Sequence, residues 1–214
     1  NLEIVLPKNQ LNLYGYEDYF ASFVNLYRKN KLPNTILLSG PNGLGKATFA
    51  YHFINYILSY NEINKYSVSN MTIHPENNSY KSLSSNINPN FSLLESDKLE
   101  ENIKIDKVRN ILNFLNKSTY SSNIKIILID NAEYLNIYSS NALLKALEES
   151  NNKTFFFIIH NNHSKILDTI KSRCIEFKFF FTIIEKEKIL KNIIIPYMGV
   201  LDLKSIDDSF YFDT

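Results

Sequence analysis

The chain has 214 residues, 44% hydrophobic and 21% charged, with a net charge of +1, enough for one α/β domain and the beginning of a second. So small a net charge excludes a strong overall field for nucleic acid or anionic lipid, and any DNA contact must come from a local patch or through a partner. The single cysteine, Cys174, excludes an internal disulfide and a four-cysteine zinc site, and with no apolar run of about 18 residues and no leader-like start the expectation is a soluble cytoplasmic protein without a membrane contact.

In chain order, the first apolar run is TILLS at residues 35–39. A helical stretch follows Lys46, in which Phe49, Ala50, Phe53, Ile54, Ile57 and Leu58 fall on one stripe at helical spacing. Residues 60–90 turn polar, rich in Asn and Ser, which predicts a mobile loop or an appended subdomain. FSLL at 91–94 is a weaker strand. Val108, Ile111, Leu112 and Leu115 mark a helix that Asp106 is placed to cap. IKIILI at 124–129 and TFFFII at 154–159 are strong strands flanking a helix through Ala142, Leu143, Ala146 and Leu147, entered at Ser139 or Ser140. CIEF at 174–177 is the fifth strand, and the pattern becomes helical again from about residue 179. Nearly continuous apolar runs alternating with helices predict an α/β fold, a five-stranded parallel sheet flanked by helices.

The strongest motif lies between the first strand and its helix: Gly40, Pro41, Asn42, Gly43, Leu44, Gly45, Lys46, Ala47 and Thr48, a match to G-x-x-x-x-G-K. Three of the five glycines in the chain stand in it. Glycines let backbone N–H groups wrap a phosphate, the helix N-terminus adds partial positive charge, and the lysine reaches the outer phosphates. Ala47 departs from the pattern, because a hydroxyl that ligates Mg²⁺ belongs there. Thr48 is one place late, about 100° around the helix. The expectation is weak binding of ATP or ADP with Mg²⁺ placement compromised.

The strand at 124–129 ends in Asp130, positioned to face the loop and help hold Mg²⁺. The next residue, where a hydrolysing site of this class carries a glutamate base, is Asn131; Glu133 lies two residues further on and need not point into the same space. Asn161, after the fourth strand, stands where a polar residue of AAA+ folds, which this order of motifs resembles, senses a terminal phosphate. His160 and His163 lack acids or cysteines at ligand spacing, so a metal site is not expected there.

Ser172, Arg173 and Cys174 follow about a dozen residues later. This triplet resembles the arginine-finger motif of bacterial DNA polymerase III clamp-loader subunits of the AAA+ family. The run SNALLKALEE at 140–149 is similar to that family's S-x-N-A-L-L-K-x-L-E-E helix, residues 40–50 resemble its delta-prime loop, and the NLYGY at 12–16 resembles its hydrophobic-x-G start. The ordered set spans roughly residues 10 to 180.

The resemblance implies an AAA+ P-loop domain over residues 1–178, with the polar insert at about 60–90, then the start of a helical lid at 179–214. The collar domain of such subunits is absent from the sequence, which reads as a fragment, and the cysteines of the family's zinc module are missing from the insert, so zinc is not expected. It further implies a role in DNA replication as a component of the polymerase III holoenzyme, not an independent ATPase. Gamma/tau and delta subunits would be its partners, and the sliding clamp and primed DNA would be met through the assembly. Arg173 would act in trans on a neighbour's ATP, an effect worth roughly 10³–10⁵ in rate for arginine fingers. An active gamma/tau-like ATPase that uses Glu133 as a displaced base stays open as the alternative.

Overall fold

The computed structural model describes residues 5–98, 101–116, 124–162 and 164–194. One compact unit comprises Val5–Phe180, and the described residues 181–194 belong to a second. In the larger unit, β1 (Thr35–Gly40), β2 (Phe91–Leu94), β3 (Lys125–Ile129), β4 (Thr154–Asn161) and β5 (Ile175–Lys178) form a sheet of order β2-β3-β4-β1-β5. Every pairing is parallel, with Gly40 beside Asn161 and Ile129 beside Ile158.

Side-chain alternation sorts the strand residues onto two covered faces. Leu37, Ile127, Ile129, Phe156 and Ile158 pack with Val108 and Ile111 of α4 (Ile105–Asn116) and with Leu143 and Leu147 of α5 (Ile137–Glu148). Ile170 of the short α6 (Asp168–Lys171) joins the same layer. On the other face the core is aromatic. Phe23 of α1 (Glu17–Arg28) lies 5.1 Å from Phe49 and 5.3 Å from Phe53 of α2 (Lys46–Leu58), and Phe53 meets Phe157 of β4 at 6.0 Å. Edge-to-face pairs at these separations add to what area burial alone contributes.

The helix starts depart from expectation. Asp106 lies inside the first turn of α4, where it pairs with Arg109 at 2.7 Å. The cap of α5 is Asn136, which accepts from the Ser139 N–H at 2.9 Å, while Ser139 Oγ donates to the Ile103 carbonyl at 2.7 Å. A second polar side chain with a backbone partner nearby outcompetes the serine for the cap.

The polar segment at 60–90 is packed against α2, which is buried on nearly its whole circumference and not along one stripe. His52 Nε2 donates to the Gln10 carbonyl at 3.1 Å, so its Nδ1 accepts from Tyr66 at 2.9 Å. Burial lowers the His52 pKa to about 4, which keeps the ring neutral for this arrangement. Asn55 donates to Asn77 Oδ1 at 2.9 Å, Asn77 donates to the Asn64 carbonyl at 2.8 Å, and Asn77 also caps α3 (Asn78–Ser84). Glu62 accepts from the N–H groups of Asn78 and Ser79 at that helix start. The asparagines that make the segment look loop-like are thus its internal hydrogen-bond partners.

In the second unit, α7 (Ile183–Ile194) opens with a capping box, Thr182 Oγ1 accepting from the Glu185 N–H at 3.3 Å and Glu185 accepting from the Thr182 N–H at 2.7 Å.

Candidate functional site

The carboxyl ends of β1, β3 and β4 meet at one edge of the sheet, the usual place for a ligand in an open parallel sheet. β1 ends at Gly40, where an added Cβ would lie 2.7 Å from the Phe179 carbonyl oxygen. Phe179 reaches that position because its N–H donates to the Ser39 carbonyl at 2.8 Å. Gly43 and Gly45 have φ of +79° and +80°, and Gly45 caps α2 in the left-handed conformation, so the loop turns where only glycine turns cheaply.

Within the loop, Asn42 Oδ1 accepts from the Gly43 N–H at 3.0 Å, and Tyr16 Oη donates to the Leu44 carbonyl at 2.7 Å. Tyr16 is buried between Phe49 and Phe179, at 5.1 and 5.0 Å, and so anchors the loop from below, a role that its place in the NLYGY run does not reveal. Lys46 is buried and donates to the Gly40 and Pro41 carbonyls at 2.9 and 2.6 Å. Burial lowers its pKa to about 8, against the opposing pull of Glu133 and then Asp130. Ala47 and Thr48 follow in the first turn of α2, both half-buried.

Across the cleft, burial raises the Asp130 carboxyl to about 6, opposed by the Asn131 N–H that donates to its Oδ1 at 2.9 Å and reinforced by the charges of Glu95 and Glu133. Asn131 has φ +53°, a conformation asparagine tolerates better than most residues. Its Oδ1 accepts from Asn161 Nδ2 at 2.6 Å. Glu133 does enter this space. Its Oε1 accepts from the same Asn161 amide at 3.0 Å, and its Oε2 accepts from the Asn161 N–H at 3.2 Å. A short 3-10 turn over Ala132–Tyr134 swings it back toward β4, a fold of the chain that spacing alone does not reveal. Sequence reasoning also missed Glu95, which follows β2 and adds to the acidity of the cleft.

The structure therefore gathers the loop, Lys46, Asp130 and Asn161 with Asn131 and Glu133. His160 turns away and pairs with the Ser164 carbonyl at 2.8 Å, whereas His163 lies outside the described residues. Among the described residues no group of three His, Cys, Asp or Glu side chains could hold a metal ion, and no helix is long and apolar enough to cross a membrane.

Arg173 is elsewhere. Its carbonyl accepts from Thr35 Oγ1 at 2.6 Å, at the opposite end of β1 from Gly40. The six residues of that strand, at about 3.3 Å each, put roughly 16 Å between its ends, beyond the reach of one side chain. A cavity of about 520 Å³ lined by Tyr27, Arg28, Tyr56 and Lys153 also opens away from the phosphate loop.

Comparison with known proteins adds a family. Residues 15–181 match the family described as DNA polymerase III, delta subunit. The chain is 31% identical over 140 residues to the DNA polymerase III subunit delta' of Pseudomonas aeruginosa, covering 65% of this chain and 41% of that protein. It is 30% identical over 189 residues to the gamma/tau subunit of Mycoplasma genitalium, covering 87% of this chain and 30% of that one. The chain thus spans less than half the length of these relatives. A DNA polymerase III gamma-subunit-related protein of Thermotoga maritima is similar over 79% of this chain and 49% of its own, at 22% identity and a TM-score of 0.48.

Proposed function

The chain belongs to the DNA polymerase III delta-subunit family, and from that premise we propose that it serves as a delta-prime-type clamp-loader subunit, binding nucleotide weakly and supplying Arg173 to a neighbouring subunit's ATP. It would work within an assembly with gamma/tau and delta subunits that loads the sliding clamp on primed DNA. The observation that carries this reading is the position of Arg173, a full strand length from the chain's own phosphate loop. An arginine there has no phosphate of its own chain to serve, and its partly exposed guanidinium lies at the surface, where the phosphate of an adjacent molecule can meet it.

The cradle itself fits a phosphate. Gly43 and Gly45 free the backbone, the first turn of α2 presents its N–H groups, and Lys46 supplies the charge. Bound nucleotide would bring the terminal phosphate on which the family's chemistry acts. For hydrolysis at this site the protein offers less. Ala47 has no hydroxyl for Mg²⁺, and Asn131 occupies the position next to Asp130 with an amide, which cannot take a proton from water.

One observation favours the alternative, a gamma/tau-like ATPase: the Glu133 carboxylate is held on Asn161 and its charge acts on Lys46. Steady ATP turnover by the isolated chain, abolished by Lys46→Ala, would establish the alternative. For the favoured reading, the full subunit with Arg173→Ala should bind nucleotide as before and slow ATP hydrolysis by the reconstituted loader; unchanged hydrolysis removes Arg173 from the mechanism.

A further inference from the structure

Arg173, just beyond the end of α6, is held and not free. Nε donates to Glu148 Oε1 at 2.7 Å, Nη2 lies 2.5 Å from the same oxygen, and Nη1 donates to the Thr169 carbonyl at 2.8 Å. Glu148 is the last residue of α5 and Thr169 belongs to α6, so two elements anchored in the same core converge on one guanidinium. The next acid, Glu149, pairs with Lys145 at 3.9 Å instead. The Arg173 side chain remains 29% exposed, so the pair sits at the surface without closing it off.

An exposed pair of this kind does little for stability, because water screens it and two long side chains must be ordered to make it. Its effect on geometry is larger. An arginine loses considerable rotamer freedom when it is placed on a target, and a group already holding the planar fork in place removes part of that cost. We infer that Glu148 is the positioning residue of Arg173, gripping the Nε side of the guanidinium so that its remaining N–H groups are presented to phosphoryl oxygens outside this chain. This rests on the in-trans reading of Arg173 above.

The experiment uses the full-length subunit in the reconstituted loader and follows steady-state ATP hydrolysis for the unaltered protein, Glu148→Gln, Arg173→Ala and the double variant. Glu148→Gln should lower kcat by roughly ten- to a hundredfold, since a misplacement of about 1 Å can cost about 10² in rate, with KM for ATP and assembly of the subunit unchanged. The double variant should be no slower than Arg173→Ala alone, because Glu148 acts only through the arginine. Glu149→Gln, one residue along, should hydrolyse at the original rate. A Glu148→Gln loader as fast as the unaltered one, beside a slow Arg173→Ala loader, overturns the positioning role and leaves the finger in place. A double variant slower than Arg173→Ala by the full Glu148→Gln factor overturns it too, as does an equal loss in Glu149→Gln. Arg173→Ala at full speed removes the finger reading itself.

Discussion

Asp130→Asn isolates the electrostatics of the cleft from its shape. The amide keeps the oxygen that accepts from the Asn131 N–H and cannot ionise. Burial, the main cause, raises the carboxyl from its ordinary 3.8 to about 6 in the folded protein. Between those two values the folded state binds more protons than the unfolded one, so the native protein loses stability as pH rises through that window. At pH 7 the penalty is complete, about 3 kcal/mol at 1.36 kcal/mol for each tenfold change in proton affinity, and the half-buried position makes this an upper bound. Urea unfolding of both proteins from pH 3.5 to 8 should show the variant more stable at pH 7 by about 1–3 kcal/mol. The gap should close as pH falls toward 4. A gap independent of pH, or a variant less stable at pH 7, would refute the argument that Asp130 is held charged against its burial.

Other outcomes follow from the same geometry. Nucleotide affinity should decline as pH rises through about 8, where Lys46 loses its proton; titrating ATP across that range tests it, and a flat profile identical to Lys46→Ala would contradict it. Gly40→Ala drives a methyl to 2.7 Å from a backbone oxygen and should cost about 1–3 kcal/mol in denaturant unfolding, an unchanged midpoint being the adverse result. Asn77→Ala strips the cap of α3 and leaves the Asn55 amide without its acceptor. The loss should be about 2 kcal/mol, with faster proteolytic nicking between residues 60 and 90, and equal nicking rates would disprove the packing role.

The strands were legible because a sheet covered on both faces needs apolar residues at every position, and the runs at 35–39, 124–129 and 154–159 have them. The ordered motifs likewise pointed to the family that residues 15–181 match. What the sequence concealed were partnerships between polar residues. Composition makes an asparagine-rich stretch look solvated, yet Asn77 is buried because Asn55, one helix away, supplies the other half of its bonds. Periodicity gave α2 one apolar stripe and could not register His52 and Asn55, whose neutral polar groups are satisfied inside. Glu133 looked misplaced since linear spacing ignores the tight turn that brings it to Asn161. The Glu148 pairing joins residues 25 apart in sequence, on helices whose approach only the packed layer determines.

The contact between Gly40 and Phe179 has a mechanical side. Residue 179 is where the chain leaves β5 and heads for the next unit, and it is stitched to β1 by its N–H and pressed by its carbonyl against a glycine with no side chain to cushion it. Close-packed groups transmit displacement with little loss. A displacement of Gly40 is therefore felt by the backbone of residue 179, so the first residue of the phosphate loop and the chain just after β5 are held as one packed piece.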